Sequence, residues 1–357
     1  MNVNDSFSHG LGGDTLAEYY FNKVKQKTKE DYFPPLNSED LIGEGEGNVE
    51  EEEQEPAHDY SLDYLTFVAL EDGTFSFSGG SDYSGGNDIS YSLDNGETWV
   101  SLSKNTATPT ISAGSEILWK KSSPGGPQPY AGIGTFSSTN SYEVKGNIMS
   151  LFYEDNFVGQ TRIPDPHNYL YPDQYPSSDQ GIPWVLKMFA NNTHLVSAEN
   201  LSLETIILGV GIYGNMFSGC TSLVKVPKLP VTELAYKCYG YMFQGCTSLT
   251  SAPELPATEL ASGCYYSMFN GCTSLEIAPI LPAPNLEYFC YNSMFYGCTS
   301  LNYIKAMFTT TPSTTYTQSW VSGVASSGTF VKNSAATWDV SGVNGIPEGW
   351  TVETATV

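Results

Sequence analysis

The phrase Met-Phe-Ser-Gly-Cys-Thr-Ser-Leu at residues 216–223 returns at residues 242–249, 268–275 and 294–301, with a change only at its third position. Each step is 26 residues long. A constant period with fixed apolar, glycine and cysteine positions is typical of stacked repeats, in which each unit packs on its neighbours. The sequence therefore predicts a repeat stack over residues 184–308, and flanking segments that carry, cap or attach it.

Each unit is expected to contain a strand, a turn and a helix. The prolines of residues 252–256 oppose a helix and favour an extended segment. Leu260, Cys264 and Met268 follow Thr258 at four-residue spacing, as on the buried face of a capped helix. The stack would then align four threonine hydroxyls in a ladder, those of Thr221, Thr247, Thr273 and Thr299.

A degenerate unit precedes the four full phrases. Residues 188–195 keep the Met-Phe pair and the final leucine, but Asn191 and Asn192 replace Gly-Cys and His194 replaces serine. A terminal unit with added polar residues is typical of a cap whose outer face meets water.

All seven cysteines lie within the repeats and follow their period. They are predicted to be buried thiols that pack as small apolar residues, since no Cys-x-x-Cys pair indicates zinc and the repeat explains their positions. Free thiols fit assembly in a reducing cytoplasm. The cysteines are Cys220, Cys238, Cys246, Cys264, Cys272, Cys290 and Cys298.

Residues 1–60 are predicted to be an anchoring arm with an acidic linker. Leu16, Tyr19, Tyr20 and Val24 share one face of a short amphipathic helix, which has to dock on a partner or on another copy to bury that face. A Gly-punctuated acidic run over residues 43–53 follows it, as in a solvated linker.

Residues 61–158 change to short alternating apolar and polar runs with glycine turns. This rhythm predicts an antiparallel β-sandwich-like or jelly-roll-like domain. The candidate strands are residues 64–69, 74–77, 89–92, 98–100, 116–119 and 148–151, with Asp72-Gly73 and Asn95-Gly96 as turns. A Pro/Tyr-rich connector over residues 159–183 then leads to the repeats, and its tyrosines either cover the open end of the stack or present a contact surface.

One motif in this domain suggests an enzyme. The segment from Ser92 to Trp99 resembles the Asp-box of sialidase-like propellers, Ser-x-Asp-x-Gly-x-Thr-Trp. The box occurs once, and Arg162 is the single arginine of a chain in which a sialidase would need several. We interpret the segment as a turn in which Asp94 accepts backbone hydrogen bonds above Trp99.

The composition argues against several classes of function. A net charge of -24 with 15 lysines and arginines excludes nucleic acid and disfavours an anionic membrane surface. No apolar run is long enough for membrane insertion, and the first residues lack the pattern of a secretory signal. The four histidines are scattered, and the Asp residues near glycine turns complete no calcium-loop motif. We therefore expect no catalytic residues, no cofactor and no metal.

The repeat phrase, together with Leu-Pro-Ala-Thr-Glu-Leu-Ala at residues 255–261, resembles the BspA-type leucine-rich repeats of Bacteroides surface proteins and their phages. Residues 320–352 look like the closing segment of the same group, and residues 146–151 are also similar to it. This resemblance implies an α+β chain with a leucine-rich-repeat solenoid over residues 184–308 and a β-rich C-terminal cap over residues 309–357. It implies binding and adhesion rather than catalysis.

The resemblance implies a virion structural protein of a crAss-like phage, and the free thiols and missing secretory signal fit its assembly in the host cytoplasm. The expected role is a head or tail fibre, in which residues 1–60 bind capsid or tail proteins and the solenoid faces a host-surface glycan or protein. A homotrimer is expected from this class. A bacterial cell-surface adhesin is the alternative, and a glycan hydrolase is a third candidate. The candidate contact residues are Tyr239, Tyr241, Tyr265, Tyr266 and Tyr291.

Overall fold

The computed structural model describes residues 58–78, 89–122, 134–162, 187–203 and 209–355. The chain divides into two units, Met1–Ala57 and His58–Val357, and the structure describes residues of the second. The helical face of Leu16, Tyr19, Tyr20 and Val24 and most of the 159–183 connector lie outside the described residues.

The described part of the chain is rich in strands and contains little helix. A six-stranded sheet has the order β4-β3-β5-β1-β7-β8, in which the neighbours are antiparallel except for the parallel pair β7 and β8. A two-stranded antiparallel sheet pairs β2 with β6. The strands are β1 (Leu65–Ala69), β2 (Phe75–Phe77), β3 (Ile89–Ser92), β4 (Val100–Leu102), β5 (Glu116–Lys121), β6 (Phe136–Ser138), β7 (Tyr142–Asn147) and β8 (Leu195–Ser202).

Aromatic side chains hold the two sheets together. Phe67 of β1 is fully buried, and its ring centroid lies 5.4 Å from Phe75 and 4.8 Å from Phe136 of the smaller sheet. It lies equally close to Trp119 and Tyr142 of its own sheet, at 5.4 and 5.0 Å. Alternation along each strand places these rings on one face together with buried aliphatic residues such as Leu65 and Ile117, so aromatic contacts supply much of the packing between the sheets.

The predicted strand at residues 148–151 is wrong. The chain ends β7 at Asn147, whose side-chain oxygen accepts the Met149 N–H at 2.9 Å, and then forms the short helix α1 (Ser150–Tyr153). The Ser150 hydroxyl donates to the Trp119 carbonyl at 2.9 Å, which fixes this turn against β5. The hydrogen bond from Met149 to the Asn147 side chain therefore favours a turn over the β-strand that the apolar pattern predicts.

The repeats stack in register, and their aromatic rings form two columns. In the first column, neighbouring phenylalanine rings lie 5.4–5.8 Å apart with interplanar angles of 5–12°. In the second, tyrosine rings lie 5.7–6.0 Å apart. The first column contains Phe189, Phe217, Phe243, Phe269 and Phe295, and the second contains Tyr213, Tyr239, Tyr265 and Tyr291.

The helix predicted in each unit does not form. Its N–H groups alternate between two kinds of acceptor: that of Cys264 donates to Ala261 three residues back, while that of Tyr265 donates to Cys290 of the next unit. Every fourth residue has a left-handed backbone, with φ of 61° at Gly263, 50° at Ser267 and 76° at Gly271. A left-handed residue in each turn interrupts the α-helical ladder and directs alternate donors to the neighbouring unit.

The strand predicted in each unit is reduced to single parallel bridges, such as those that join Ile277 to Ser251 and to Tyr303. The ladder widens towards the C-terminus into a parallel sheet of order β11-β10-β9. The predicted threonine ladder has another form, because the Thr247 and Thr299 hydroxyls donate to backbone carbonyls of the preceding unit at 3.3 and 3.4 Å. The strands are β9 (Tyr303–Ala306), β10 (Thr329–Asn333) and β11 (Thr351–Ala355).

The degenerate first unit is not a terminal cap, because it packs against the β-sheets, although Asn191 is exposed. Asn192 is buried, and its side-chain amide donates to the Tyr142 hydroxyl at 2.8 Å. Phe189 stacks between Phe136 of the two-stranded sheet and Phe217 of the first full unit, at 6.1 and 5.4 Å. The polar substitution therefore joins the repeats to the β-sheets through one continuous core.

Candidate binding surface

Three of the five predicted contact tyrosines are not on the surface. Tyr239, Tyr265 and Tyr291 are 1–2% exposed and form the tyrosine column. Burial raises the pKa of each of these phenols well above 10. Their place in the predicted contact surface is wrong, because they occupy the same position of every unit and that position points into the core.

Tyr241 and Tyr266 are partly exposed on the turn-rich side of the stack, and two further aromatic residues continue from them. Ring centroids lie 5.1 Å apart for Tyr241 and Tyr266, 6.4 Å for Tyr266 and Phe289, and 4.0 Å for Phe289 and Tyr288. Tyr288 is 53% exposed. We call these four residues the aromatic strip; it crosses three successive units.

A lysine lies against the strip. The Lys237 ammonium is 5.3 Å from the Tyr266 ring centroid and 5.5 Å from that of Tyr236, within the range of a cation–π contact. Its aliphatic stem lies over Gly263, where an added Cβ would come within 2.9 Å of Lys237 Cγ. Gly263 thus leaves room for the lysine stem, and the stem places the ammonium above the rings.

Sequence reasoning missed Tyr288, Phe289 and Lys237. A comparison of the units position by position contains the signal that would find Phe289 and Lys237, whereas Tyr288 has Tyr236 as an equivalent and does not stand out. Phe289 occupies the position of Gly211 and Gly263, and Lys237 also falls there. Such departures from the repeat mark residues that the stack itself does not require.

The thiols have no chemistry of their own in this fold. All seven are free and buried, so the prediction of buried thiols is confirmed. Burial raises the pKa of Cys220 and Cys298 to about 12, and the pKa values of the others also lie above the ordinary thiol value. Nucleophiles and metal ligands are thiolates, so these cysteines are suited to packing alone.

The Asp-box forms the turn that the sequence predicts. Asp94 accepts the Thr98 N–H at 2.8 Å and the hydroxyls of Ser92 and Thr98, and the Trp99 indole donates to the Gly96 carbonyl at 3.0 Å. Trp99 packs against Tyr64, and the Lys120 ammonium lies 4.2 Å from its ring. Three hydrogen bonds from within the turn engage both carboxylate oxygens of Asp94, which supports a structural role.

We predict that Asp94 titrates near pH 2. The Thr98 hydroxyl and amide, followed by Ser92, favour the carboxylate and lower its pKa from 3.8 to about 2. Their support of the turn is therefore complete above pH 3.8 and is lost as the pH falls through about 2. NMR titration of the side-chain carboxyl measures this value, and Thr98→Val should raise it towards 3.8.

Thr106→Val is the matched control for this titration, because the Thr106 hydroxyl donates to the Ser103 carbonyl in another exposed turn. An Asp94 pKa near 3.8 in the unmodified protein would contradict the proposed hydrogen-bond network.

The histidines and the aspartates near glycine turns do not come together among the residues that the structure describes. His58 pairs with Asp63 at 2.6 Å and His194 lies in the first unit, while His9, His167, Asp82 and Asp88 lie outside the described residues. Within the described ranges, His, Cys, Asp and Glu form no group of three or more that could hold a metal ion. Among the same residues, no helix has the length and apolar character that a membrane crossing requires.

Comparison of the chain with family models, curated proteins and solved structures gives no match. The resemblance to BspA-type repeats therefore stays a prediction that rests on the quoted phrases.

Proposed function

We propose that this chain is a non-enzymatic structural protein of a phage particle, a head or tail fibre that presents a leucine-rich-repeat solenoid to the host surface. The observation that carries this proposal is the in-register stack of 26-residue units. A stack repeats its backbone from unit to unit and leaves outward positions free to vary, which is how repeat proteins build binding surfaces. The aromatic strip occupies such positions.

The division of the chain supports a separate attachment role for its first residues. The chain divides between Ala57 and His58, and the described residues of His58–Val357 share one hydrophobic core. The apolar residues Leu16, Tyr19, Tyr20 and Val24 then serve binding to a capsid or tail protein. Three copies per attachment site is the stoichiometry that we expect for a fibre.

Density-gradient fractionation of phage-producing cells tests this proposal. We expect the full-length protein to sediment with DNA-filled particles and immunogold label to lie at their periphery. A variant that begins at His58 should keep the melting temperature of the full-length protein, since the compact unit is intact, but should remain at the top of the gradient.

Uninfected cells provide the control for the fractionation. Recovery of the protein in their envelope fraction would favour the bacterial adhesin and contradict a virion role. Particle association of the variant that begins at His58 would place the attachment surface in the compact unit instead. Sedimentation equilibrium of the full-length protein measures the oligomeric state, for which a trimer is expected.

A further inference from the structure

We propose that the aromatic strip is a binding site for uncharged carbohydrate. This inference rests on the proposed function, because it names the class of ligand that the exposed face of the stack would meet. The strip is built from Tyr241, Tyr266, Phe289 and Tyr288, with the Lys237 ammonium beside Tyr266.

The strip is not needed to build the stack. Tyr241 corresponds to Asn215, and Phe289 to Gly211 and Gly263, and all of these residues have positive φ. At Tyr241 and Phe289 φ is 60° and 53°. A left-handed backbone disfavours a side chain with a bulky Cβ substituent by about 1 kcal/mol relative to glycine, and asparagine tolerates it better. The two rings therefore stand where folding alone favours other residues.

The third ring also departs from the repeat in residue type, on a backbone without positive φ. Tyr266 occupies the position that is Gly240 in the preceding unit and Asn292 in the next. Three positions thus carry rings where other units carry glycine, a small polar residue or, at the position of Phe289, Lys237. The rings also contact one another, although they come from three units. Together these departures favour a surface for contact with a ligand.

The size and polarity of the surface favour a sugar over a protein. Four half-exposed aromatic side chains offer about 400 Å² of contact area, whereas a stable protein interface takes about 800 Å² from each partner. The polarised C–H groups of a sugar ring pack well on the negative face of an aromatic ring. In the unit that follows Tyr266, the buried Asn292 accepts from the Ser293 hydroxyl and donates to Gln318 at 3.3 Å. The Gln318 side chain is exposed and uncharged, and its amide can hydrogen-bond to sugar hydroxyls.

Charge decides between classes of glycan. The chain carries a net charge of -24, which repels sulfated, phosphorylated or uronic-acid polymers at long range. The single ammonium of Lys237 is already held over the rings of Tyr236 and Tyr266. Uncharged hexose and pentose polymers are therefore the ligand class that fits.

The test uses the full-length protein on an array of glucan, mannan, galactan and xylan oligosaccharides, beside sulfated and uronic-acid glycans. We expect binding to at least one uncharged glycan, and its dissociation constant should be measured by calorimetry. Tyr266→Asn and Phe289→Gly each install the residue of an equivalent position and should weaken that binding about tenfold. Their melting temperatures should stay the same or rise.

Tyr296→Asn is the matched control, because Tyr296 is 48% exposed on the same stack and its equivalents are Ser218, Gln244 and Asn270. It should bind as the unmodified protein does. Unchanged affinity of the Tyr266 and Phe289 variants, preference for anionic glycans, or no binding to any glycan would each overturn the proposal. None of these results affects particle association, so the failure of this inference is distinguishable from the failure of the proposed function.

Discussion

Replacement of Cys246 by aspartate is expected to lower the free energy of unfolding by about 3–5 kcal/mol, the usual loss for an uncompensated buried charge. The thiol is fully buried and donates to the Phe217 carbonyl of the preceding unit at 3.1 Å. A carboxylate there cannot donate, and it meets that carbonyl in an apolar column. Urea denaturation followed by circular dichroism measures the loss.

The pH dependence of stability in Cys246→Asp distinguishes the effect of the buried charge from the effect of the altered side-chain shape. Burial should raise the pKa of the new carboxyl above its unfolded value, so the destabilisation should shrink as the pH falls and the group takes up a proton. Cys246→Ser keeps a donor of similar size and should lose much less stability. Equal losses for serine and aspartate, without pH dependence, would show that the position tolerates charge.

Trp320→Ala should destabilise the C-terminal end of the stack by about 3–5 kcal/mol. Both aromatic columns end on this ring, which lies 6.2 Å from Tyr291 and 6.1 Å from Phe295, and its indole donates to the Gly345 carbonyl at 2.9 Å. The residue is fully buried, so truncation leaves a cavity between the last full unit and β10.

Hydrogen exchange should locate this effect. Amides of β9 and β10 are expected to lose protection in Trp320→Ala, while those of β5 in the six-stranded sheet should lose less. Trp320→Phe keeps most of the apolar contact and gives up one hydrogen bond, so it should lose about 1–2 kcal/mol. Uniform loss of protection over the whole compact unit would mean that the stack unfolds as one block and that Trp320 does not terminate it.

The sequence predicts the period of the stack and the burial of the thiols because both follow from residue types that recur every 26 positions. It does not predict the backbone conformation of the segments that connect the repeated motifs. Gly263 and Gly271 suggest residues with positive φ. Ser267 also has positive φ, but a serine does not indicate it, so the four-residue spacing of left-handed residues is not evident from the sequence. Apolar spacing of four residues therefore indicated a helix, whereas the backbone forms a series of turns.

The candidate site was predicted only in part for a related reason. Tyr239 and Tyr241 are two residues apart in the chain, and the sequence alone does not tell which of them points inward. The pairing of β7 with β8 was also beyond the sequence, since it depends on how the first unit docks through Asn192 on Tyr142. Contacts between distant segments decide both outcomes.

The close stacking of the units limits how far this part of the chain can reach. Each 26-residue unit advances the phenylalanine column by 5.6–5.8 Å, whereas a helix of the same length would span about 39 Å. Most residues of each unit therefore widen the stack and do not lengthen it. A particle that displays this protein at a distance would have to obtain its spacer from another segment or another protein, and the stack would serve as a broad tip.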